Sequence, residues 1–496
     1  MHGYEPLADP AALTVFILTL FLPVLVGVLT LRRTRNQSDF FIGGRAMDKI
    51  TVALSAVSSG RSSWLVLGVS GMAYTMGVGA VWAVVGYILA ELFQFVTIGR
   101  RLRTETESMD ALTLLDYFES RFGDRRHLIR IIGAAIIGVF ITAYVSAQLS
   151  AGAQALSTAL DLPFLAALGC SAVLILIYMM MGGYVAVAYN DVIRALIMIF
   201  GLIVFPAAGL IRIGGLSVLL RILSALDPAL VDPFALGAGA AAGFLGIGLG
   251  SPGQPHILVR YMSIDDPDRL RQSTVIGTVW NVLMAWGALC VGLLGRAAIP
   301  NAGALPDANS EMVYLVLSSR YFGPVLYGLL VGGVFAAILS TADSQLLVAA
   351  STFVRDIYEK MIQPRRSMEE GRKLRLSRTV VLLSGILALV LAAAANDLIF
   401  WLVLFAWGGL GASFGPAVIL SLYWKRASRA GIAAGMLTGS LVTVIWKLFL
   451  KASTGIYELI PAFILAACAI AVFSLFFPSP QTAEYIPAQI RKTQKM

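Results

Sequence analysis

The sequence predicts an all-α polytopic membrane protein of about 13 transmembrane helices, with a core of two five-helix units of opposite topology. Three observations carry that expectation. Only 13% of the residues are charged and 58% are hydrophobic, against about 25% charged in a soluble domain, and mean hydropathy is +0.82. Apolar runs of about 18 or more residues recur from end to end, each able to cross a hydrocarbon core about 30 Å thick. Two of the runs, five apart, are interrupted by helix-breaking and polar residues.

The spans are expected at roughly 11–31, 50–73, 77–98, 128–157, 163–182, 188–213, 234–250, 274–296, 323–353, 378–395, 397–424, 430–449 and 457–477, with soft boundaries. The first starts near Ala11, with Glu5 and Asp9 before it and no A-x-A pattern after it, and reads as a true span rather than a signal peptide. Lys and Arg crowd alternate loops: "RRTRNQ", "GRRLRTETES", "ESRFGDRRHLIR", "DDPDRLRQ", "QPRRSMEEGRKLRLSR", "YWKRASRAG" and the tail "RKTQK". The opposite loops, such as "PNAGALPDANSEM" and "ANDL", carry almost none. The positive-inside rule then sets the N-terminus outside and the C-terminus in the cytoplasm. The net charge of +9 follows from those loops, and no nucleic-acid partner is implied.

Cys170, Cys290 and Cys468 lie within apolar runs, far apart, and are read as core packing without a disulfide framework. His2, His127 and His256 form no ligand motif, and there is no Walker loop, nucleotide fingerprint or H-E-x-x-H. An enzyme is therefore not expected, nor a resident cofactor or a metal beyond a coupling ion.

The interruptions are the chemistry-bearing features. The second span contains "SSGRSSWLVLG" (58–68), and the seventh runs "GAGAAAGFLGIGLGSPGQPHILVRYM" through Gly250, Pro252, Gly253 and Pro255. Neither can continue as an uninterrupted helix. Such breaks in corresponding spans of two repeats mark a transporter site near the midplane, where half-helix ends face the solute and freed carbonyls bind cations. The ninth span adds "STADSQ", with Ser340, Thr341, Asp343, Ser344 and Gln345 inside an apolar run. Hydroxyl and carbonyl oxygens suit a hard monovalent cation better than a transition metal. Asp191, near the start of the sixth span, reads as interfacial or as part of a cation path. With no nucleotide motif, accumulation must draw on an ion gradient. About 2.3 kcal/mol per charge per 100 mV and about 1.4 kcal/mol per tenfold gradient let one cation support concentration by a few hundredfold.

A long series of motifs resembles the sodium/solute symporter family, and within it the bacterial sodium/proline symporters. It runs through "SDFFIGGR", "TVALSA", "SSWLVLG", "LTLLDYFESRF", "GGYVAVAYNDVIRALIM", "GQPHILVRYM", "STADSQLLV", "FAWGGLGASFGP", "AGMLTGSLVTVIWK" and "GIYELIPAF". The resemblance implies a LeuT-like 5+5 inverted-repeat core and sodium-driven import of L-proline or a related small carboxylate-bearing solute. The chain then reads as one transporter domain, 1–496, in the bacterial inner membrane. Its repeats fall at about 48–213 and 234–424, with peripheral helices at about 11–31, 430–449 and 457–477.

Carried over, the family's sodium ligands fall on the main-chain carbonyls of Ser58, Arg61 and Ala337 and the hydroxyls of Ser340 and Thr341. Asp191 matches an acid tied to cation passage. Ser62, Ser63, Trp64, Tyr144, Ile247, Gln254 and Pro255 match the solute pocket region, with Arg61 added as a carboxylate ligand. Gly60 and Arg61 stand where those symporters carry Asp and Met, Ile247 stands for a tryptophan, and Ser251 and Pro252 replace two aromatics.

Arg61 has four readings: a structural pair with Glu91, Asp343 or another buried acid; a ligand for the solute carboxylate; a fixed charge in place of sodium; or a group facing a water-filled vestibule. The third gives an alternative function, an organic-anion or amino-acid carrier with altered or absent sodium coupling. A transporter-like solute sensor is less favoured, because only about twenty residues follow Phe477. The expected partners are sodium, a proline-like solute and the lipid bilayer, with the oligomeric state left open.

Overall fold

A computed structural model of the chain describes residues 7, 9–30, 36–179, 183–363, 369–394 and 398–478. The basic residues of 32–35, 364–368 and the tail 491–495, and the acidic loop at 395–397, lie outside the described residues. Among the described residues there is no strand, only an isolated bridge between Met47 and Ile264. Among the described residues ten helical runs are long and apolar enough to cross a membrane, and the protein is a multi-pass membrane protein. The run Lys49–Ser108 holds two of the expected spans. The expected span at 163–182 is the shorter helix Phe164–Met179, and that at 234–250 is broken. Length and hydropathy alone therefore do not confirm thirteen.

The elements used below are α1 (Pro10–Thr30), α2 (Lys49–Ser63), α3 (Ser70–Met76), α4 (Val81–Phe93), α5 (Leu128–Leu160), α6 (Phe164–Met179) and α7 (Tyr184–Ile199). The second half adds α8 (Ala238–Leu245), α9 (Pro255–Ser263), α10 (Leu270–Ala298), α11 (Pro324–Ser351), α12 (Glu370–Ala394), α13 (Ile399–Tyr423), α14 (Arg429–Ile445) and α15 (Leu459–Phe476).

Both predicted breaks are present. α2 opens on an Asp48 cap that accepts from the Ile50 and Thr51 amides at 2.9 and 3.1 Å. Its helical path ends at Ser62, whose φ of 49° and ψ of −171° no helix contains. A wide turn over Trp64–Val69 then leads into α3. In the second repeat, α8 runs into a tight 3₁₀ stretch, Gly246–Gly253, and Gln254 is extended at φ −92° and ψ 103°. Pro255 starts α9, where its missing N–H leaves no carbonyl unserved.

α11 crosses the first break without interruption. It is buried from Leu330 to Leu347, which explains how it can hold a run of hydroxyls. α13 packs on the second break through its own small residues. A Cβ on Gly253 would stand 2.7 Å from the Gly411 Cα and carbonyl and from the Gly415 amide. Small residues let backbones approach this closely in membranes. Leu18, Phe21, Leu29, Val96, Val139 and Leu383 are exposed and present an apolar outer face, as a lipid-facing surface requires.

Two cysteines depart from expectation. Cys170 and Cys468 are exposed rather than packed in the core. In a bilayer the lipid face is as apolar as the core, so an apolar run does not tell the two apart. Asp191 is fully buried, seven residues inside α7 and about 10 Å along its axis, rather than interfacial.

The close crossing gives a first prediction. Gly253→Ala should destabilise the protein by about 1–3 kcal/mol through overpacking. Gly239→Ala, whose Cβ meets nothing within 4 Å, should be neutral or better. Thermal melts of the two purified variants check this, and equal melting temperatures would refute it.

Candidate solute and cation site

At the first break the chain must satisfy backbone groups that no longer have helical partners, in a setting without bulk water. The Trp64 amide takes the Arg61 carbonyl and lies 3.1 Å from the Ser62 hydroxyl. The Ser63 amide donates to Gln148 Oε1 of α5 at 3.1 Å. The Tyr87 hydroxyl of α4 donates to the Gly60 carbonyl at 3.0 Å. A side chain at position 60 would overlap that hydroxyl, so glycine lets Tyr87 reach this carbonyl without moving.

The remaining carbonyls of the break face α11. Ser340 Oγ lies 3.1 Å from the Ser58 carbonyl and 3.0 Å from the Ala337 carbonyl. Thr341 Oγ1 lies 2.9 Å from the Ser59 carbonyl. A hydroxyl has one proton, so Ser340 can serve only one of its two carbonyls at a time. Oxygens thus outnumber protons, a donor set suited to a hard monovalent cation. Of the five predicted sodium ligands, Ser58, Ala337 and Ser340 are brought together. Thr341 stands beside them on the neighbouring carbonyl of Ser59, which was not predicted. The Arg61 carbonyl is turned to the Trp64 amide. Among the described residues no group of three or more His, Cys, Asp or Glu could hold a metal ion.

Asp191 lies directly beneath this set. Its Oδ2 accepts from Ser55 Oγ at 2.6 Å and Ser59 Oγ at 3.0 Å. Arg260 approaches it at 3.2 Å and Arg194 at 3.7 Å. Arg194 also pairs with Asp343 at 2.6 Å, and Arg260 bonds the Ser344 hydroxyl. These two arginines and two aspartates are fully buried and sum to zero charge, the condition for keeping ions in a low dielectric.

The predicted solute residues form part of an aromatic cage. Trp64 stacks on Tyr87 (ring centroids 5.9 Å, 29°) and on Phe400 (5.8 Å, 25°). Tyr87 packs on Trp407 at 5.4 Å, and Tyr144 meets His256 edge-on at 6.0 Å. Gln254 Nε2 donates to the Gly250 and Trp407 carbonyls at 3.1 and 3.0 Å. Ser63 Oγ, Trp64 Nε1, Gln148 Nε2 and Gln254 Oε1 are buried polar atoms without a hydrogen-bond partner. Such atoms are rare in native structures and mark places where a ligand can bind.

Ile247 and Pro255 are not brought to this cage. Ile247 accepts from Trp407 Nε1 through its carbonyl at 2.9 Å and lines a separate cavity of about 540 Å³ with Phe244, Trp401 and Tyr457. Pro255 lines a small cavity of about 30 Å³ with Arg260, Ser344 and Asp356.

Arg61 is 1% exposed and pairs with Glu91 at 2.8 Å. Its guanidinium carbon stands 3.8 Å over the Tyr87 ring, and Glu91 also accepts from Asn281 of α10. The guanidinium pairs with Glu91 through one nitrogen, as one of the four readings has it, while its Nε is a buried donor without a hydrogen-bond partner. Asp343, the other proposed partner, belongs to Arg194 instead.

Sequence reasoning missed Gln148, Tyr87, Phe400, Trp407, Arg194 and Arg260. Gln148 and the arginines were findable as lone polar groups inside spans. The aromatics were not, because an aromatic facing the cage and one facing lipid look alike in sequence.

A buried carboxylate closes one end of the cage. Glu311, 1% exposed, accepts from the Ile399 and Phe400 amides at 2.8 and 2.7 Å. It caps the start of α13, a favourable place for an anion, and ties down the ring that covers Trp64. Burial raises its pKa to about 7, opposed only by those two amides.

Two predictions follow from these charges. Arg61→Met leaves Glu91 buried and unpaired and should cost about 3–5 kcal/mol, while Arg61→Met with Glu91→Leu should recover much of the loss. Additive losses in thermal melts would exclude the pairing. Because the folded-state pKa of Glu311 lies above its ordinary 4.5, its stabilising contribution is complete below about pH 4.5 and lost as pH rises through about 7. The melting temperature should fall across that window, and Glu311→Gln should flatten this component. An unchanged pH profile in Glu311→Gln would refute the assignment.

Known proteins are similar to this chain over nearly its whole length. The sodium:solute symporter family model matches residues 40–439. The sodium/proline symporter of Escherichia coli K12 is 35% identical over 476 residues, covering 95% of this chain and 94% of the relative. The high-affinity proline transporter PutP of Bacillus subtilis is 35% identical over 467 residues, covering 93% and 97%. Among solved structures, a substrate-bound, outward-open Na+-coupled sialic acid symporter superposes with a TM-score of 0.78 at 19% identity, over 95% of this chain and 99% of that one. MhsT in complex with L-phenylalanine superposes at 0.55 and 14% identity, over 87% and 98%. These two likenesses establish the shared fold.

Proposed function

Because the chain belongs to the sodium:solute symporter family, we propose that it imports L-proline, or a closely related small carboxylate-bearing solute, together with sodium by alternating access. It is a secondary transporter and not an enzyme. The observation that carries the reading is the crossing of α2 and α11, where neutral oxygens of Ser58, Ser59, Ala337, Ser340 and Thr341 gather beside an aromatic cage.

The cage supports a zwitterion. Gln148 Nε2, Ser63 Oγ and Trp64 Nε1 offer donors to a carboxylate, and Gln254 Oε1 offers an acceptor to a secondary ammonium. The rings of Trp64 and Tyr144 supply apolar walls for the solute. Sodium bound across the break ties α2 to α11 and fixes the carbonyls that precede Ser62 and Ser63, so cation binding orders the solute site. Release toward the cytoplasm passes Asp191, the acid beneath the oxygen set.

The same reading takes the whole chain as one transporter domain in the bacterial inner membrane, N-terminus outside and C-terminus inside. Repeats at about 48–213 and 234–424 move against one another. Sodium is a co-substrate, and no resident cofactor is required. Sodium-independent anion carriage is not favoured, because the relatives this chain matches are sodium/proline symporters, and one nitrogen of the Arg61 guanidinium is already paired with Glu91.

Proteoliposomes test the proposal. Labelled proline should accumulate only with an inward sodium gradient, and Thr341→Ala should raise the sodium concentration for half-maximal uptake. Gln148→Ala should raise the proline concentration for half-maximal uptake tenfold or more, as loss of a charged hydrogen bond of about 1.5–3 kcal/mol implies. Sodium-free uptake at an unchanged rate, or no competition by proline, would overturn it.

A further inference from the structure

The end of the bundle opposite the arginine-rich loops carries a second feature, remote from the transport site. The helix Phe205–Ile213, the last turn of α10 and the helix Val313–Tyr321 enclose a cavity of about 280 Å³. Its walls are apolar, formed by Phe205, Ala208, Leu294, Leu317 and Phe322. Seven residues separate Phe205 from Arg212, so the cavity extends about 10 Å below the end of its helix. That depth lies within the apolar thickness of a bilayer.

The mouth is different in kind. Arg212 and Tyr321 line it, and both are exposed. The Arg212 guanidinium stands 5.3 Å from the Tyr321 ring centroid, and that of the exposed Arg320 stands 5.9 Å from the same ring. Neither arginine has a carboxylate partner among the described residues. Two exposed guanidiniums flanking one ring concentrate positive charge at this mouth, which attracts an anion. Basic residues are more numerous at the other end of the bundle, where the positive-inside rule puts them; at this end Arg212 and Arg320 are the two that meet over one ring at the cavity.

The geometry points to a binding site for an anionic phospholipid, with one acyl chain in the cavity and its phosphodiester held by Arg212 and Arg320. Guanidinium groups bind phosphate oxygens in bidentate fashion. The apolar depth selects against free phosphate, which has nothing to place there. The double cation selects against a zwitterionic headgroup, whose own ammonium would be repelled. Under the orientation proposed above, the lipid belongs to the outer leaflet. The inference depends on that orientation only for the leaflet, and its test is independent of transport.

The experiment compares thermal stability of the purified full-length protein in nanodiscs of phosphatidylcholine with and without phosphatidylglycerol, and in detergent with inorganic phosphate. Phosphatidylglycerol should raise the melting temperature of the wild type, and inorganic phosphate should not. The rise should vanish in Arg212→Gln/Arg320→Gln, persist in Arg221→Gln on the neighbouring exposed helix, and shrink in Ala208→Leu, which fills the cavity while keeping both arginines. Native mass spectrometry should find phosphatidylglycerol retained by the wild type and lost from the double variant. An equal rise with pure phosphatidylcholine, or an undiminished rise in the double variant, would overturn the site. A rise with inorganic phosphate alone would reduce it to an anion-binding arginine pair.

Discussion

The constraint on which the rest depends is that the unwound peptide around Ser62 must find its hydrogen bonds inside the membrane. An unsatisfied backbone group there costs several kcal/mol. The protein meets that cost from three directions. α5 supplies the Gln148 carbonyl to the Ser63 amide, α4 supplies the Tyr87 hydroxyl to the Gly60 carbonyl, and α11 supplies the Ser340 and Thr341 hydroxyls to Ser58 and Ser59. Each partner comes from a different helix, so the break can exist only when those helices are packed around it.

The same arrangement explains why a charged residue is tolerated at the break. Arg61 brings its charge to a place where Glu91, Asn281 and the face of Tyr87 already converge. In that position it links α2 to α4 directly and to α10 through Glu91 and Asn281. Asp191, Arg260, Arg194 and Asp343 form a second neutral set, which with the Ser55 and Ser59 hydroxyls joins α2, α7, α9 and α11. Between the two sets lies a layer of neutral oxygens.

Much of the fold was legible in the sequence because a bilayer leaves few choices. Apolar length fixes which segments cross, and the Lys and Arg asymmetry orders the loops. Gly250, Pro252, Gly253 and Pro255 announce one break, and "SSGRSS" announces the other. The hydroxyls of Ser340 and Thr341 stood out as polar groups in an apolar run. The lipid or core side of Cys170 and Cys468 was not legible, since both environments are apolar. Ile247 was assigned to the solute pocket by its position in a motif; in the fold its carbonyl takes the Trp407 indole N–H, and the residue also lines another cavity.

The sequence by itself determined the class, the family, the two interrupted helices and the run of hydroxyls that faces the first of them. These follow from composition, periodicity and the local inability of certain residues to remain helical. Only the tertiary structure decided what each buried polar group meets: Glu91 rather than Asp343 for Arg61, Ser59 rather than Arg61 for the carbonyl facing Thr341, and Phe400 as the cover on Trp64. Those pairings join residues as much as 336 positions apart through helices that cross at fixed angles. Which atoms approach within hydrogen-bonding distance is set by that crossing and is not written in the local pattern of either helix.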